Sequence, residues 1–116
     1  METTGSVLGL GQPNMYQKIL TAENIKTLEK FPFGSQEKVE NPKILVKFFT
    51  PWSNWTWFVT EAEKQEDGDW LFFGMVHGFE QEMGYFALSE LTSVRGIGGL
   101  KIERDINFEG NLSDIM

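Results

Sequence analysis

Residues 43–61, KILVKFFTPWSNWTWFVTE, decide the fold of this chain. β-Branched and aromatic residues alternate with polar ones on either side of a short turn at Pro51 to Asn54, the pattern of a β-hairpin. The alternation predicts a strand over about residues 43–50, with Ile44, Val46 and Phe48 on one face and Leu45, Lys47 and Phe49 on the other. Its partner, about residues 55–63, sets Trp55, Trp57 and Val59 on one face and Thr56, Phe58 and Thr60 on the other. The stretch holds three of the four tryptophans, more aromatic surface than one small core is expected to hide. The working face of the protein is therefore expected here.

Downstream, Asp67-Gly68 is a tight-turn signal. Trp70 to His77 is apolar at nearly every position, as a central strand covered on both faces would be. Gly78 to Gln81 turns the chain into a fourth strand, Glu82 to Ala87. Ser89 reads as the N-cap of a second, short helix. Gly96, Gly98 and Gly99 make a mobile loop before a last strand from Leu100 to Phe108, and residues 109–116 read as a frayed tail.

Upstream, residues 1–13 are Gly-rich and read as a loose arm, whose Val7, Leu8 and Leu10 could pack on the body. Thr21 is the N-cap of a helix of about ten residues, with Asn24 where a capping box calls for Glu or Gln. Ile19, Leu20, Ile25 and Leu28 give it an apolar stripe, and Phe31-Pro32 ends it. Residues 35–42 read as a polar linker. The fold class is α+β: a single domain over residues 1–116, built on an antiparallel four- to five-stranded meander with one N-terminal helix packed on it and a second short helix.

A chain of 116 residues buries about 65% of its unfolded surface, enough for one core. It has no cysteine, which removes disulfides, zinc–thiolate sites and thiol nucleophiles. With no basic leader and no apolar run of membrane-spanning length, a soluble cytoplasmic protein is expected. Seventeen acids against ten bases give a net charge of −7, so direct nucleic-acid binding and attachment to anionic membrane are not expected. An acidic surface can instead enter the basic groove of another protein.

The string Lys47-Phe48-Phe49-Thr50-Pro51, then Trp55-Thr56-Trp57, resembles the opening motif of the bacterial DUF2958 family. Phe73-Gly74, Gly84-Tyr85-Phe86, Leu88-Ser89-Glu90-Leu91 and Ile102-Glu103-Arg104-Asp105 follow in the order of that family's later motifs. The resemblance spans about residues 43–108. It implies a small prokaryotic protein carried by plasmids, integrative elements or phages, and implies no activity.

Two constellations stand out. Trp52, Trp55, Trp57 and Tyr85 form a candidate interaction surface, with Trp52 expected to be the most exposed because it sits in the turn. The bland alternative is core plus cross-strand pairing. Lys47, Glu61, Glu103, Arg104 and Asp105 form a candidate polar pocket or ion-pair cluster. The pairings Lys47–Glu103 and Glu61–Arg104 are the favoured, structural reading. His77, Glu80 and Glu82 resemble a metal site, but one histidine in the chain is weak support. Gly96 to Gly99 lacks the Gly-Lys-Ser/Thr ending of a phosphate loop. No catalytic, cofactor or metal residue is assigned.

The expectation that follows is a non-enzymatic protein-binding module of a mobile element, in its specific form an acidic inhibitor of a restriction or CRISPR effector. A small enzyme or ligand-binding protein with the polar pocket is the alternative. A nucleic-acid-associated protein, using Lys18, Lys26, Lys30 and Lys101, is the third.

Overall fold

The structure is a computed structural model and describes residues 19–116. The arm predicted at residues 1–13 lies outside them. Helix α1, Ala22–Glu29, is capped reciprocally. The Asn24 N–H donates to Thr21 Oγ1, and the Thr21 N–H to Asn24 Oδ1, each at 3.0 Å. Asparagine thus takes the place of Glu in the capping box. The helix is eight residues long. Its buried Leu28 and the Phe31 carbonyl, which accepts the Ala62 N–H at 2.9 Å, dock it on the sheet.

The sheet is antiparallel, with strands β2 (Val46–Phe49), β3 (Thr56–Lys64), β4 (Trp70–His77), β5 (Gln81–Ala87) and β6 (Glu103–Arg104). Their spatial order is β5-β4-β3-β2-β6, so four strands form the meander and β6 returns to the free side of β2. One face carries Val46, Phe48, Trp57, Val59, Phe72 and Phe86, packed with α1 and with α2, Leu88–Ser93. Phe48 and Phe72 are fully buried there; burial of such a side chain stabilises by about 2–3 kcal/mol. The other face carries Phe58 and Met75 under Ile44, Phe108, Leu112 and Ile115. These two layers explain the nearly continuous apolar run of β4.

A bulge changes the face of one residue. Val59 lies opposite Gly74 and Glu61 opposite Phe73, with Thr60 unpaired between them. Strict alternation would put Glu61 beside Val59 on the helix-covered face; the extra residue moves it to the opposite one.

Three predicted segments differ. The strand expected over 43–50 breaks at Leu45, because β1 (Lys43–Ile44) pairs not with β3 but with β7 (Gly110–Asn111) near the C-terminus. The tail expected to fray is therefore held. The Leu112 N–H donates to the Pro42 carbonyl at 2.8 Å, and Asn41 Oδ1 accepts the Ser113 N–H at 3.0 Å. The last strand, expected over 100–108, is reduced to Glu103–Arg104 with an isolated bridge at Arg95 and Lys101. Ser89 is not the N-cap of α2, which is Ala87; the Glu90 carboxylate reaches back to accept the Ala87 N–H at 2.8 Å. Ser89 instead donates its Oγ–H to Asp69 at 2.6 Å and its N–H to the same carboxylate at 3.0 Å. Among the described residues, no helix is long and apolar enough to cross a membrane.

Candidate interaction surface

The four tryptophans divide into three roles. Trp70 is buried in the main core. Trp57 and Trp52 are half-buried and packed against it. Trp52 is not the exposed residue that its place in the turn predicts. Its indole lies flat on Gly96, where an added Cβ would come within 2.2 Å of the ring. The glycine loop thus brings a wall to the turn that no local pattern announces.

Trp55 is also half-buried, stacked on Trp57 with centroids 6.0 Å apart. Its other contact is Phe79, edge-on at 5.4 Å. Gly78 makes this possible, because a Cβ there would lie 2.3 Å from the Trp55 ring. Phe79 itself is 95% exposed at the tip of the β4–β5 hairpin. Tyr85, 65% exposed, leans on Phe73 at 4.9 Å and Phe33 at 5.4 Å. Met83, 41% exposed, lies between the hairpin tip and Tyr85 on β5. Trp55, Phe79, Met83 and Tyr85 line one groove of about 430 Å³ together with Glu80 and Glu82.

Phe79 and Met83 lie outside the set Trp52, Trp55, Trp57 and Tyr85 that the aromatic pattern singles out. A usable signal for Phe79 exists: a large apolar residue between Gly78 and Glu80, in a turn too short to bury it.

The predicted polar cluster is dispersed. Glu61, only 6% exposed, accepts the Gly34 N–H at 2.9 Å and the Gln36 N–H at 2.8 Å. It pairs with neither Lys47 nor Arg104. Lys47 pairs with Asp105 at 3.3 Å rather than with Glu103. Its ammonium also lies 5.2 Å from the Phe108 ring and 5.7 Å from that of Phe58. Arg104 faces the helix side and donates its Nε–H to the Ile19 carbonyl at 2.8 Å. Glu103 is exposed. These five side chains thus make local contacts on two faces of the sheet and do not converge on a pocket.

His77 stands edge-on to Phe58 at 5.0 Å and lies 2.9 Å from Gln81 Nε2. Glu82 pairs with Val76 and so faces away from it. Among the described residues, no group of three His, Asp or Glu side chains could hold a metal ion.

No curated protein and no solved structure matches the chain. The family model described as "Protein of unknown function (DUF2958)" matches residues 10–114. That span is nearly the whole sequence, and it contains every element of the sheet; the chain belongs to the DUF2958 family.

Proposed function

We propose that this protein is a non-enzymatic protein-binding module whose recognition surface is the β4–β5 hairpin and the outer edge of β5. The observation that carries the reading is Phe79, held 95% exposed on the edge of Trp55 in a groove that Met83 and Tyr85 also line. Aromatic and Met side chains dominate the energetic centres of protein interfaces. At 95% exposed, the Phe79 ring removes little of its apolar surface from water.

β5 is the last strand of the sheet, so one side of its backbone has no strand beside it among the described residues. The Ala87 N–H points off the sheet to Glu90. By the alternation of an antiparallel ladder, the N–H and C=O groups of Met83 and Tyr85 point the same way. An extended segment laid along this edge would gain main-chain hydrogen bonds and cover Met83 and Tyr85.

Charge decides what that segment carries. Glu80 and Glu82 rim the groove, in a chain of net charge −7. A basic segment is attracted here, whereas a second copy of the same edge brings like charges together. The partner class is a protein with a Lys- and Arg-lined surface. In its specific form it is a restriction or CRISPR effector whose nucleic-acid groove the acidic module occupies. The setting that goes with this is the cytoplasm of a bacterium, with the gene on a plasmid, integrative element or phage, as the family resemblance implies.

The test is capture of partners by the tagged protein in its native host, with nuclease added, beside a Phe79→Ala/Tyr85→Ala variant of unchanged thermal midpoint. A stoichiometric basic partner retained by the wild type and lost by the variant supports the reading. A partner retained equally by both overturns it.

A further inference from the structure

The chain has two arginines, Arg95 and Arg104, and both line one cleft between the end of α2 and β6. Lys101 lines it too, with Ile19, Leu100 and Ile102 supplying apolar wall, around a volume of about 690 Å³. A protein of net charge −7 thus gathers three of its ten bases in one place, with Glu103 the one acid among the described lining residues.

The glycine loop sets this up. Gly98 and Gly99 adopt φ of 68° and 80°, a region that favours glycine. The Gly96 N–H donates to the Leu100 carbonyl at 2.7 Å, closing the loop so that Arg95 pairs with Lys101 across an antiparallel bridge. Residues directly opposite in such a pair project to the same side, and two like charges there destabilise. Among the described residues the ion pair that forms is Lys47–Asp105, on the other face of the sheet, and none of the three cations of the cleft has a carboxylate partner.

Each arginine is also held by backbone. Arg95 Nη1–H groups donate to the carbonyls of Thr92 at 2.7 Å and Val94 at 2.9 Å. Arg104 is held through Nε. A guanidinium carries five N–H donors, so each fork keeps donors for a ligand while its position is already fixed. Oriented guanidinium groups of this kind match the planar oxygens of carboxylate and phosphate.

We infer that the Arg95–Lys101–Arg104 cleft is a binding site for a small organic oxyanion, a carboxylate or phosphate monoester joined to an apolar body. The oxyanion relieves the repulsion between Arg95 and Lys101, and the apolar body lies on Ile19, Leu100 and Ile102. The site is on the opposite edge of the sheet from the β4–β5 hairpin, since β6 and β5 end the strand order. It stands whether or not that hairpin binds a partner.

Benzoate, phenyl phosphate and inorganic phosphate, titrated into the full chain at constant ionic strength, provide the test. The arginine Nε–Hε resonances are followed by NMR. Saturable shifts at both arginines with benzoate or phenyl phosphate, at millimolar or tighter affinity, are the expected result. The tighter of the two probes names the oxyanion, and inorganic phosphate alone binds more weakly. Lys101→Gln, an exposed change that leaves the fold intact, weakens binding about tenfold. Arg95→Gln does the same with an unchanged thermal midpoint. Shifts that rise linearly without saturation, or that are identical in Lys101→Gln, overturn the inference.

Discussion

Glu61 binds the backbone of Gln36: its Oε2 accepts the Gln36 N–H at 2.8 Å, while Oε1 accepts that of Gly34 at 2.9 Å. Gln36 in turn is buried, and its amide spans Lys43 and Thr60 by donating to both carbonyls and accepting the Lys43 N–H. Two side chains thus fasten the polar segment 34–43 to the bulge of β3. Glu61→Ala leaves two N–H groups without their acceptor at a poorly hydrated site. It is expected to cost about 3 kcal/mol, measured as a lower urea midpoint. A loss below about 0.5 kcal/mol, typical of surface changes, would contradict this role.

Asp69 and Ser89 make a corresponding joint between the start of β4 and α2. The Asp69 carboxylate accepts the Trp70 N–H at 2.8 Å and both the N–H and Oγ–H of Ser89. Asp69→Ala is expected to destabilise by about 2–3 kcal/mol and Ser89→Ala by about 1 kcal/mol. The double variant should lose less than the sum, because the two share their bonds. Strict additivity in thermal unfolding would show that the pair is not coupled.

The turn tryptophan gives a third prediction. Trp52→Ala uncovers Gly96 and part of the main core, so it should cost about 2 kcal/mol, somewhat less than the 3–5 kcal/mol of a fully buried aromatic. Gly96→Ala should destabilise too, because its Cβ meets the indole ring rather than a flexible side-chain end. Unchanged melting temperatures for both would return Trp52 to solvent.

Direct contact with nucleic acid is the fourth. Of the four lysines of that reading, Lys18 lies outside the described residues, Lys26 and Lys30 belong to α1 and its C-cap, and Lys101 lies in the cleft beside β6. No retardation of DNA or RNA is expected in gel shifts at low salt, where phosphate attraction is strongest. A shift that fades steeply with added salt would contradict this and reopen the basic-cluster reading.

Much of the sheet could be read from residues 43–87, because alternation and turn residues are local signals. Trp70 to His77 was legible as a central strand, and Thr21 as a helix cap. What escaped depends on partners far away in sequence. Lys43 meets Asn111, so neither the break at Leu45 nor the ordered tail has a local signature. The bulge at Thr60 reverses the face of Glu61, and a strictly alternating reading assigns that carboxylate the wrong neighbours. In the aromatic surface, Tyr85 is exposed, whereas Trp55 is half-buried and shares its groove with the exposed Phe79 and Met83. Trp52 was lost from it because the glycine loop covers its ring.

Docking along β5, as proposed, has its readout in the amides of that edge. Amide hydrogen exchange of the protein, free and bound to the partner that it retains, tests it most directly. With a segment laid along β5, the Met83 and Tyr85 amides, which point off the sheet, become protected on binding. A bound partner that leaves these two amides exchanging as in the free protein, with protection elsewhere, would contradict it.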